Sequence, residues 1–418
     1  MSKIFQSVKG TKDILPDETP RWRVLEQTVH DFMNRWGYKE IRTPVFEQTD
    51  LFVRSVGKNS DVVSKQMYTF LDHGKTSLTL KPELTAPVIR AYIQYNIALS
   101  GGVTKLYYID SLFRQERPQK GRLRQFQQFG IEAIGSPHPE QDAEVITAAY
   151  RLLQELGIRT MTLKLNNIGN KSSRVRYRDV LIEFLSDHLD RLSKTSQERI
   201  KTNPLRILDT KNPEEQTILE KAPHILDFLD EDDRKHYDEV LTYLDQLGVP
   251  YEQDHQLVRG LDYYTRTTFE IISPKLGAQD ALCGGGRYDD LVEDLGGKPT
   301  PAIGFAAGIE RILLAMDEKN MDSLEPAPRI YLAAASESAR STIFKLGIDL
   351  RNAGLFVDFD ILYRSLKSQL REANRLNCVS AIIIGEDELI EGVAQVKDLQ
   401  SGEQTPVDLD TIADYFLP

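Results

Sequence analysis

The chain has few features that would fix its structure covalently or place it in a membrane. Its 418 residues include only two cysteines, Cys283 and Cys378, which lie far apart in sequence, so a disulfide framework is not expected. No apolar run approaches the roughly 20 residues that a membrane-spanning helix needs. The N-terminal sequence MSKIFQSVKGTKDILP lacks the apolar core of a secretory signal. We therefore expect a water-soluble protein of the reducing cytoplasm that makes no membrane contact.

Positive charge is also in short supply. Lysine and arginine number 52 against 63 aspartates and glutamates, which gives a net charge of -11. Phosphate contacts need local cations, so this balance argues against indiscriminate nucleic-acid binding, and DNA is not an expected partner. Any site for RNA should be a local basic patch.

Several nucleotide and metal motifs are missing. The end of a P-loop is mimicked by Gly74-Lys75-Thr76, but Thr69 stands where the first glycine should be. The seven histidines do not fall at metal-ligand spacing, so no protein-caged metal is expected. Neither a G-x-S-x-G elbow nor a dinucleotide-binding fingerprint occurs, because the glycines at 284–286 lead into Arg-Tyr-Asp.

Helical and β-rich segments alternate along the chain. Apolar spacing predicts a helix over 22–35, a β-rich run over 38–44, and strands around Leu78 and Leu106. From about 171 to 250 the sequence is charged with helical spacing, which predicts a helical insertion. Strand-like sequence returns over 255–272, and we expect a Gly-rich turn or bulge at 284–286 and an apolar helix over 309–316.

The last part of the chain is predicted to be separate. EPAP at 325–328 is stiff and prone to turns, as linkers often are. After it, the β-rich runs IYLAAA, LFVDFD, AIIIG and VAQVKDL alternate with helical sequence, including 365–377. This alternation predicts a compact α/β domain.

Two β-rich segments carry polar residues at strand spacing. LYYIDSLFRQE (106–116) and FQQFGIEAI (126–134) are predicted to pair across the polar loop RPQKGRLRQ. Side chains two apart share a strand face, so Arg114 would lie with Glu116, and Gln128 with Glu132. Buried charge is costly without a partner or ligand, so the pattern indicates a pocket floor. An ion-paired, solvated sheet face is the alternative that the pattern leaves open.

FRQE at 113–116, with the basic loop and the returning strand, resembles the second signature motif of class II aminoacyl-tRNA synthetases. EIRTPVFEQTD at 40–50 is similar to the first motif, which lies at a dimer interface, and GFAAGIER at 304–311 is similar to the third. The HIGH and KMSKS signatures of class I enzymes are missing. A homodimer is therefore expected.

Within class II, the chain resembles the histidyl-tRNA synthetase family over nearly its whole length. The resemblance is carried by LVRGLDYYT (257–265) and GGGRYD (284–289), and by IIIGEDE (382–388) and VKDL (396–399) in the tail. It implies an α/β fold with an α+β catalytic domain at 1–325 on a mostly antiparallel sheet. The helical insertion would occupy about 171–250, and a mixed-sheet anticodon-binding domain would occupy 326–418.

The resemblance also implies a reaction and its residues. Histidine is activated with ATP to histidyl-adenylate and pyrophosphate, then transferred to the 3′ end of tRNA(His), and magnesium arrives with the ATP. Adenylate formation brings a carboxylate against the α-phosphate, so the site needs fixed cations, for which Arg114 and Arg259 are the implied catalytic residues. The implied ATP-binding residues are Arg114, Glu116, Arg122 and Arg311. The implied histidine-binding residues are Glu83, Thr85, Gln128, Glu132, Arg259, Tyr264 and Tyr288.

Recognition of the imidazole has a simple chemical logic. A neutral imidazole presents one donor and one acceptor, so a carboxylate and a phenol, Glu132 and Tyr264, can read both nitrogens. Such a pocket makes an editing domain unnecessary. Asp262 and Tyr263 are expected to be structural, and both tyrosines of the pair could also be core aromatics.

Candidate tRNA contacts lie in two places. Gln119 is in the basic loop, and Arg364, Lys367, Arg371 and Arg375 form a basic stripe beside the apolar face of the predicted helix at 365–377. A merely solvated stripe is the alternative for these four cations.

The sequence departs from the family pattern near the implied amino-group site. Lys81 stands where arginine is common, Leu84 where glycine is common, and Gln127 where histidine or tyrosine is frequent. Two rival functions remain. One is a non-catalytic synthetase-like regulatory subunit of histidine biosynthesis, although such proteins typically lack the anticodon domain. The other is a related class II synthetase such as a prolyl or threonyl enzyme.

Overall fold

A computed structural model describes residues 4–58, 60–100, 102–119, 121–316 and 329–417. The chain divides into two compact units, Met1–Asp322 and Ser323–Pro418. The linker predicted at 325–328 lies outside the described residues, as do the first three residues of the N-terminal segment. Across the described ranges, no helix combines the length and apolar character that a membrane span requires.

The first unit is built on a large, mostly antiparallel sheet. The described strands of the first unit are β1 (Lys39–Glu40), β2 (Phe46–Gln48), β3 (Tyr68–Leu71), β4 (Ser77–Leu80), β5 (Thr104–Phe113), β6 (Gln125–Ile134), β7 (Thr162–Asn167), β8 (Glu252–Gln253), β9 (Thr265–Ile272), β10 (Ala281–Arg287) and β11 (Ala302–Gly308). Within the described residues, the large sheet has the order β1-β5-β6-β11-β10-β9-β7-β8, and β2-β4-β3 form a smaller antiparallel sheet. In the described part of the large sheet, only the edge strands β1 and β8 pair in parallel.

Helices cover this sheet and extend from it. They are α1 (Thr19–Arg35), α2 (Thr49–Val56), α3 (Thr85–Gln94), α4 (Pro139–Glu155), α5 (Lys171–Ser186), α6 (Lys194–Thr202), α7 (Pro213–Leu219), α8 (Glu231–Gln246), α9 (Leu291–Asp294) and α10 (Ile309–Ala315). In α1, Leu25, Val29, Phe32 and Met33 recur at helical spacing and are buried in the main core. The helices predicted over 22–35 and 309–316 are confirmed.

The segment from 171 to 250 consists mainly of helices, and its being an insertion stays a prediction. Asn170 begins α5 by accepting hydrogen bonds from the backbone nitrogens of Ser172 (2.9 Å) and Ser173 (3.0 Å). Helices α5 to α7 share a second apolar core with Tyr263 and Tyr264. Helix α8 packs instead on α4 and contributes to the main core beneath the large sheet.

The second unit is a mixed-sheet α/β domain, so the expected fold class is confirmed. Its elements are β12 (Arg329–Ala334), α11 (Arg340–Asn352), β13 (Phe356–Phe359), α12 (Leu366–Arg375), β14 (Ser380–Ile384), α13 (Glu386–Glu391), β15 (Val393–Asp398), β16 (Gln404–Asp408) and α14 (Ile412–Phe416). Strands β13, β12 and β14 run parallel, while β15 and β16 add antiparallel neighbours.

Three local predictions need correction. The strand predicted to reach Glu116 ends at Phe113, because the Gln115 nitrogen bonds to the Gln66 carbonyl (2.7 Å) and leaves the ladder. The strand predicted from 255 begins only at Thr265, since earlier backbone groups bond elsewhere, such as the Asp262 nitrogen to the Val56 carbonyl (3.3 Å). The turn predicted at 284–286 is wrong, whereas the bulge given as its alternative is present, since the register of β9 and β10 shifts between Gly286 and Arg287.

Glycines 284–286 lie in the middle of β10, between β9 and β11. A Cβ on Gly285 would approach the Gly304 carbonyl oxygen to 2.2 Å, and one on Gly286 would approach the Thr267 carbonyl oxygen to 2.5 Å. These glycines allow close packing within a sheet and do not reverse the chain.

Candidate active site

A cleft of about 600 Å³ opens over the central strands of the large sheet. Ten of the predicted site residues line it: Glu83, Thr85, Arg114, Glu116, Arg122, Gln128, Arg259, Tyr264, Tyr288 and Arg311. They come from the start of α3, the loop after β5, strand β6, the segment before β9, the end of β10 and helix α10. The fold therefore brings together residues separated by more than two hundred positions in the sequence.

Glu83 lies at the N-terminus of α3. Its carboxylate accepts hydrogen bonds from the backbone nitrogens of Thr85 (2.8 Å) and Ala86 (3.0 Å), so it satisfies donors that helix geometry leaves free. The side chain is almost fully buried. Burial raises its pKa to about 7, although the two backbone donors lower it.

Glu132 is almost fully buried beside the cleft-lining residues Thr85, Tyr108 and Tyr288, among their hydroxyl groups. Its carboxylate accepts from Thr85 Oγ1 (2.8 Å) and Tyr108 Oη (3.1 Å), and closely from the Tyr288 hydroxyl. Burial raises its pKa to about 8 despite these donors. A Cβ on Gly304, which does line the cleft, would approach Glu132 Oε2 to 2.0 Å. Glycine at 304 is therefore what leaves room for this carboxylate.

Arg259 lies across β10 and reaches the next strand. Its Nη1 donates to Glu270 Oε1 at 2.5 Å, and a Cβ on Gly284 would stand 2.2 Å from its Nη2. Gly284 and Glu270 are register partners, so the guanidinium passes directly over the glycine. Burial alone would lower the pKa of Arg259, but Glu270 outweighs it and holds the pKa above its usual range.

Three more arginines surround Glu116 in the same cleft. Arg114 Nε donates to the Pro82 carbonyl (2.8 Å), and its guanidinium lies 5.3 Å from the Phe126 ring centre. Arg122 Nη1 is 3.3 Å from Glu116 Oε2. Arg311 is held by the carbonyls of Gly121 (2.9 Å) and Ala281 (3.0 Å).

The three arginines carry more positive charge than Glu116 can balance. Burial lowers the pKa of Arg114 and of Arg311, and Arg122 lowers that of Arg311 further. A cluster of cations held by backbone carbonyls is arranged to receive an anion.

Several cleft residues were not anticipated from the sequence. Glu270 holds Arg259, Tyr108 holds Glu132, and Glu310 accepts from the Gln127 nitrogen (3.0 Å), with burial raising its pKa to about 7. In TRTTFEII (265–272), Thr268 and Glu270 are two residues apart and therefore share a strand face. This alternation is the signal that could have identified Glu270 as a cleft residue. Insertion residues also line the cleft: Arg206, Asp209 and Lys211.

The departures from the family pattern cause no strain. Leu84 has φ of -113°, ordinary for leucine, and it packs with Leu106 and Tyr108 in a small apolar cluster. Lys81 is buried, donates closely to Asp110, and donates to the Thr43 carbonyl (3.2 Å). The local backbone therefore accepts both residues.

The candidate tRNA residues are divided between the two units. Gln119 is exposed at the tip of the basic loop. In the second unit, Arg364 precedes α12 and pairs closely with Asp360, while Arg375 pairs with Glu372 at 2.5 Å. Lys367 and Arg371 are exposed on α12 and make no ion pair with any described residue. The predicted basic stripe therefore has two of its four charges neutralised.

No group of three histidine, cysteine, aspartate or glutamate side chains within the described residues could hold a metal ion. Both cysteines are free and buried.

Comparison with known proteins matches both units. The family model for histidyl-tRNA synthetase covers residues 10–312, and that for the anticodon binding domain covers residues 330–417. A histidine–tRNA ligase of Chloroherpeton thalassium is 50% identical over 404 residues, which is 96% of this chain and 95% of that protein. The chain belongs to the histidyl-tRNA synthetase family. It is thus an aminoacyl-tRNA synthetase, a ligase that joins histidine to tRNA.

Solved structures agree with this family assignment. The apo histidyl-tRNA synthetase of S. aureus superposes with a TM-score of 0.83 at 38% identity, covering 99% of this chain and 100% of that chain. A Bacillus halodurans chain named as an ATP phosphoribosyltransferase regulatory subunit/histidyl-tRNA synthetase gives a TM-score of 0.67 at 22% identity. That likeness shows the fold alone, so the regulatory alternative has less support than the ligase.

Proposed function

We propose that the cleft binds histidine and ATP side by side, forms histidyl-adenylate with release of pyrophosphate, and then passes histidine to tRNA(His). The observation that carries this proposal is that two kinds of side chain line one cleft. Glu83 and several phenols are the first kind, called here the carboxyl end, and five arginines, Arg114, Arg122, Arg206, Arg259 and Arg311, are the second, called here the arginine end. An amino acid and a triphosphate need these two environments in contact with each other.

The carboxyl end suits the charges of histidine. A buried carboxyl group whose pKa is raised gains most from a cation, because the cation restores its charged form. Glu83, with a pKa of about 7, is accordingly assigned to the α-ammonium group. Gln128 lines the wall beside it.

Glu132 and Tyr264 are assigned to the imidazole. A carboxylate offers about four acceptor positions, and three hydroxyl groups occupy three of them. The remaining position can accept an imidazole N–H, while the Tyr264 hydroxyl donates to the other ring nitrogen. Thr85 and Tyr288 act by holding Glu132, and burial raises the pKa of Tyr288 well above its usual range, so it stays a donor.

The arginine end is assigned to ATP. Arg259 and Arg114 are placed to meet the α-phosphate, where charge accumulates as the histidine carboxylate attacks. Arg122 and Arg311 would hold the outer phosphates or the base, and Glu116 would accept from the adenine amine. Since the described residues offer no carboxylate cage, magnesium would be held chiefly by ATP oxygens and would neutralise the departing pyrophosphate.

The partner tRNA is assigned to one surface on each unit. Gln119 is assigned to the acceptor end, and Lys367 and Arg371 are the cations best placed to meet anticodon-arm phosphates, with Arg364 and Arg375 secondary because acids already pair with them. A homodimer is supported by exposed apolar side chains on the small sheet, Phe46 (49%) and Leu71 (67%) among them. Sedimentation analysis measures this directly. The cytoplasmic location stays a prediction.

The residue roles are tested by charge removal in the cleft. We expect Arg259→Met and Arg114→Met each to lower histidine-dependent ATP–pyrophosphate exchange by about 10²–10³-fold, as loss of a transition-state donor does. Arg178→Met removes an exposed arginine from α5 and should leave exchange unchanged. If Arg259→Met kept exchange within a few-fold of wild type, its assignment as a catalytic cation would be wrong.

A further inference from the structure

Arg287 carries a buried charge that the proposed chemistry does not use. It stands between the glycines of β10 and Tyr288, and its side chain is fully buried. It is not among the described residues that line the cleft. A fully desolvated guanidinium is costly unless every donor has a partner.

The Arg287 donors do have partners, and these come from different elements. Nε donates to both Asp142 oxygens (3.2 and 3.1 Å), and Nη2 also lies close to Asp142. Nη1 donates to the Ser136 carbonyl (2.9 Å) and to Asp289 Oδ1 (3.1 Å), while Nη2 donates to the His138 carbonyl (3.3 Å). The end of β10 is thereby fixed to α4 and to the chain after β6.

Helix α8 lies next to this anchor. His236 Nε2 lies 3.3 Å from Asp142 Oδ1. Burial alone would raise the pKa of Asp142, but Arg287 and His236 outweigh burial and hold it below the usual range. The ion pair between Asp142 and Arg287 is therefore charged at neutral pH.

Asp289 links Arg287 to the backbone beside the cleft residue Tyr288. Its Oδ1 accepts from Arg287 and from the Ala302 nitrogen (3.3 Å), and its own nitrogen donates to Thr265 Oγ1 (3.1 Å). Tyr288 precedes Asp289, and its nitrogen donates to the Ala302 carbonyl (2.8 Å). One carboxylate thus ties down the backbone on which Tyr288 stands.

We propose that Arg287 is a positioning residue for histidine recognition: by fixing Asp289, it sets where the Tyr288 hydroxyl meets Glu132. The inference rests on the proposed function, in which Glu132 reads the imidazole. Arg287 touches no substrate and acts only through its neighbours. Its loss should affect histidine and spare ATP, because the arginines assigned to ATP are held by other carbonyls and carboxylates.

Displacing the Tyr288 hydroxyl has a consequence that can be measured by titration. The groups facing Glu132 among the described residues are the donors Thr85, Tyr108 and Tyr288, the carboxyl of Glu83, and the phenols of Tyr38, Tyr263 and Tyr264. Burial raises the pKa of Glu132 to about 8, and the Tyr288 bond lowers it. Without that bond the pKa would rise further, so charged Glu132 would be present only at higher pH.

Arg287→Lys tests the inference because lysine keeps the charge opposite Asp142 but cannot reach several acceptors at once. We expect the KM for histidine at pH 7 to rise about tenfold, and its pH dependence to move up by about one unit, since one pKa unit corresponds to tenfold. The KM for ATP should stay within threefold. Tyr288→Phe should give the same shift, and the double variant should add nothing further.

A purely structural role predicts a different pattern. Loss of stability would reduce the active fraction and kcat without moving the pH dependence of the histidine KM, so an unmoved profile would overturn the inference. Additive effects of Arg287→Lys and Tyr288→Phe would overturn it too. Absence of histidine-dependent exchange in the wild-type chain would instead refute the proposed function.

Asp289→Asn serves if Arg287→Lys does not fold, since it keeps the side-chain shape and removes the charge that Arg287 holds. The same histidine-specific shift is expected for it. A normal pH profile in a folded Asp289→Asn variant would contradict the inference.

Discussion

Adding one methyl group at Gly284 is expected to displace the Arg259 guanidinium. An ideal Cβ at this position lies 2.2 Å from Nη2 and 2.4 Å from Cζ of Arg259. Non-bonded atoms settle at about 3.5–4 Å, so the guanidinium has to retreat by more than about 1 Å. The strand itself has little room to yield, because β9 and β11 flank it on both sides.

This retreat should cost catalysis more than folding. A displacement of about 1 Å in a group that positions reactants can lower the rate about 10²-fold. The atoms nearest the new methyl group belong to the side chain of Arg259 and not to the backbone of a neighbouring strand, so we expect the fold to be largely kept. We therefore expect histidine-dependent ATP–pyrophosphate exchange to fall about 100-fold in Gly284→Ala, with a modest change in melting temperature.

Gly308→Ala is the matched control. Its new methyl group would meet Arg311 Cδ at 3.7 Å, an ordinary contact, so exchange should stay near wild type. Both variants would be compared at saturating ATP and histidine, with melting temperatures measured alongside. Exchange within threefold of wild type for a folded Gly284→Ala would refute the argument that Arg259 must lie against β10 to act.

Three further changes have defined outcomes. Burial raises the pKa values of Glu83 and Glu132 to about 7 and about 8, and each must be charged to bind histidine. The histidine KM, corrected for protonation of free histidine, should therefore rise as pH falls from 9 to 6. A flat profile would contradict this. Gly285→Ala forces a methyl group to within 2.2 Å of a carbonyl oxygen on the next strand, and denaturant titration should show at least about 1–3 kcal/mol of lost stability, whereas an unchanged midpoint would show that the sheet can open there. Replacing Lys367 and Arg371 together by methionine should weaken tRNA binding and reduce the log–log salt slope by about 1.5 to 2, and an unchanged slope would rule out phosphate contacts at this helix.

Periodicity and polar patterning predicted the elements that position the site. The helix ending at Arg35, the paired strands β5 and β6, and the α/β second unit all follow from spacing that local physics imposes. Gln128 and Glu132 fall on one strand face as expected, because the two-residue period of a strand is fixed by geometry.

What could not be predicted depends on packing across strands. Glycine has the same local signature in a turn and in a crowded strand, so the role of Gly284 became visible only with Arg259 above it. Glu270 could not be assigned to Arg259 because the register that places it opposite Gly284 is set by three strands together. The end of β5 before Arg114 also depends on a distant segment. The backbone nitrogen of Gln115 bonds to the Gln66 carbonyl, almost fifty residues earlier in the chain.

Amino-acid-dependent ATP–pyrophosphate exchange with the wild-type chain tests the central claim most directly. Each of the standard amino acids would be assayed separately with ATP and magnesium, followed by transfer to tRNA(His) for any that is active. We expect exchange with histidine alone, and histidyl-tRNA as the product. No exchange with histidine from a folded chain that retains Arg259 and Arg114, or stronger exchange with another amino acid, would contradict the account.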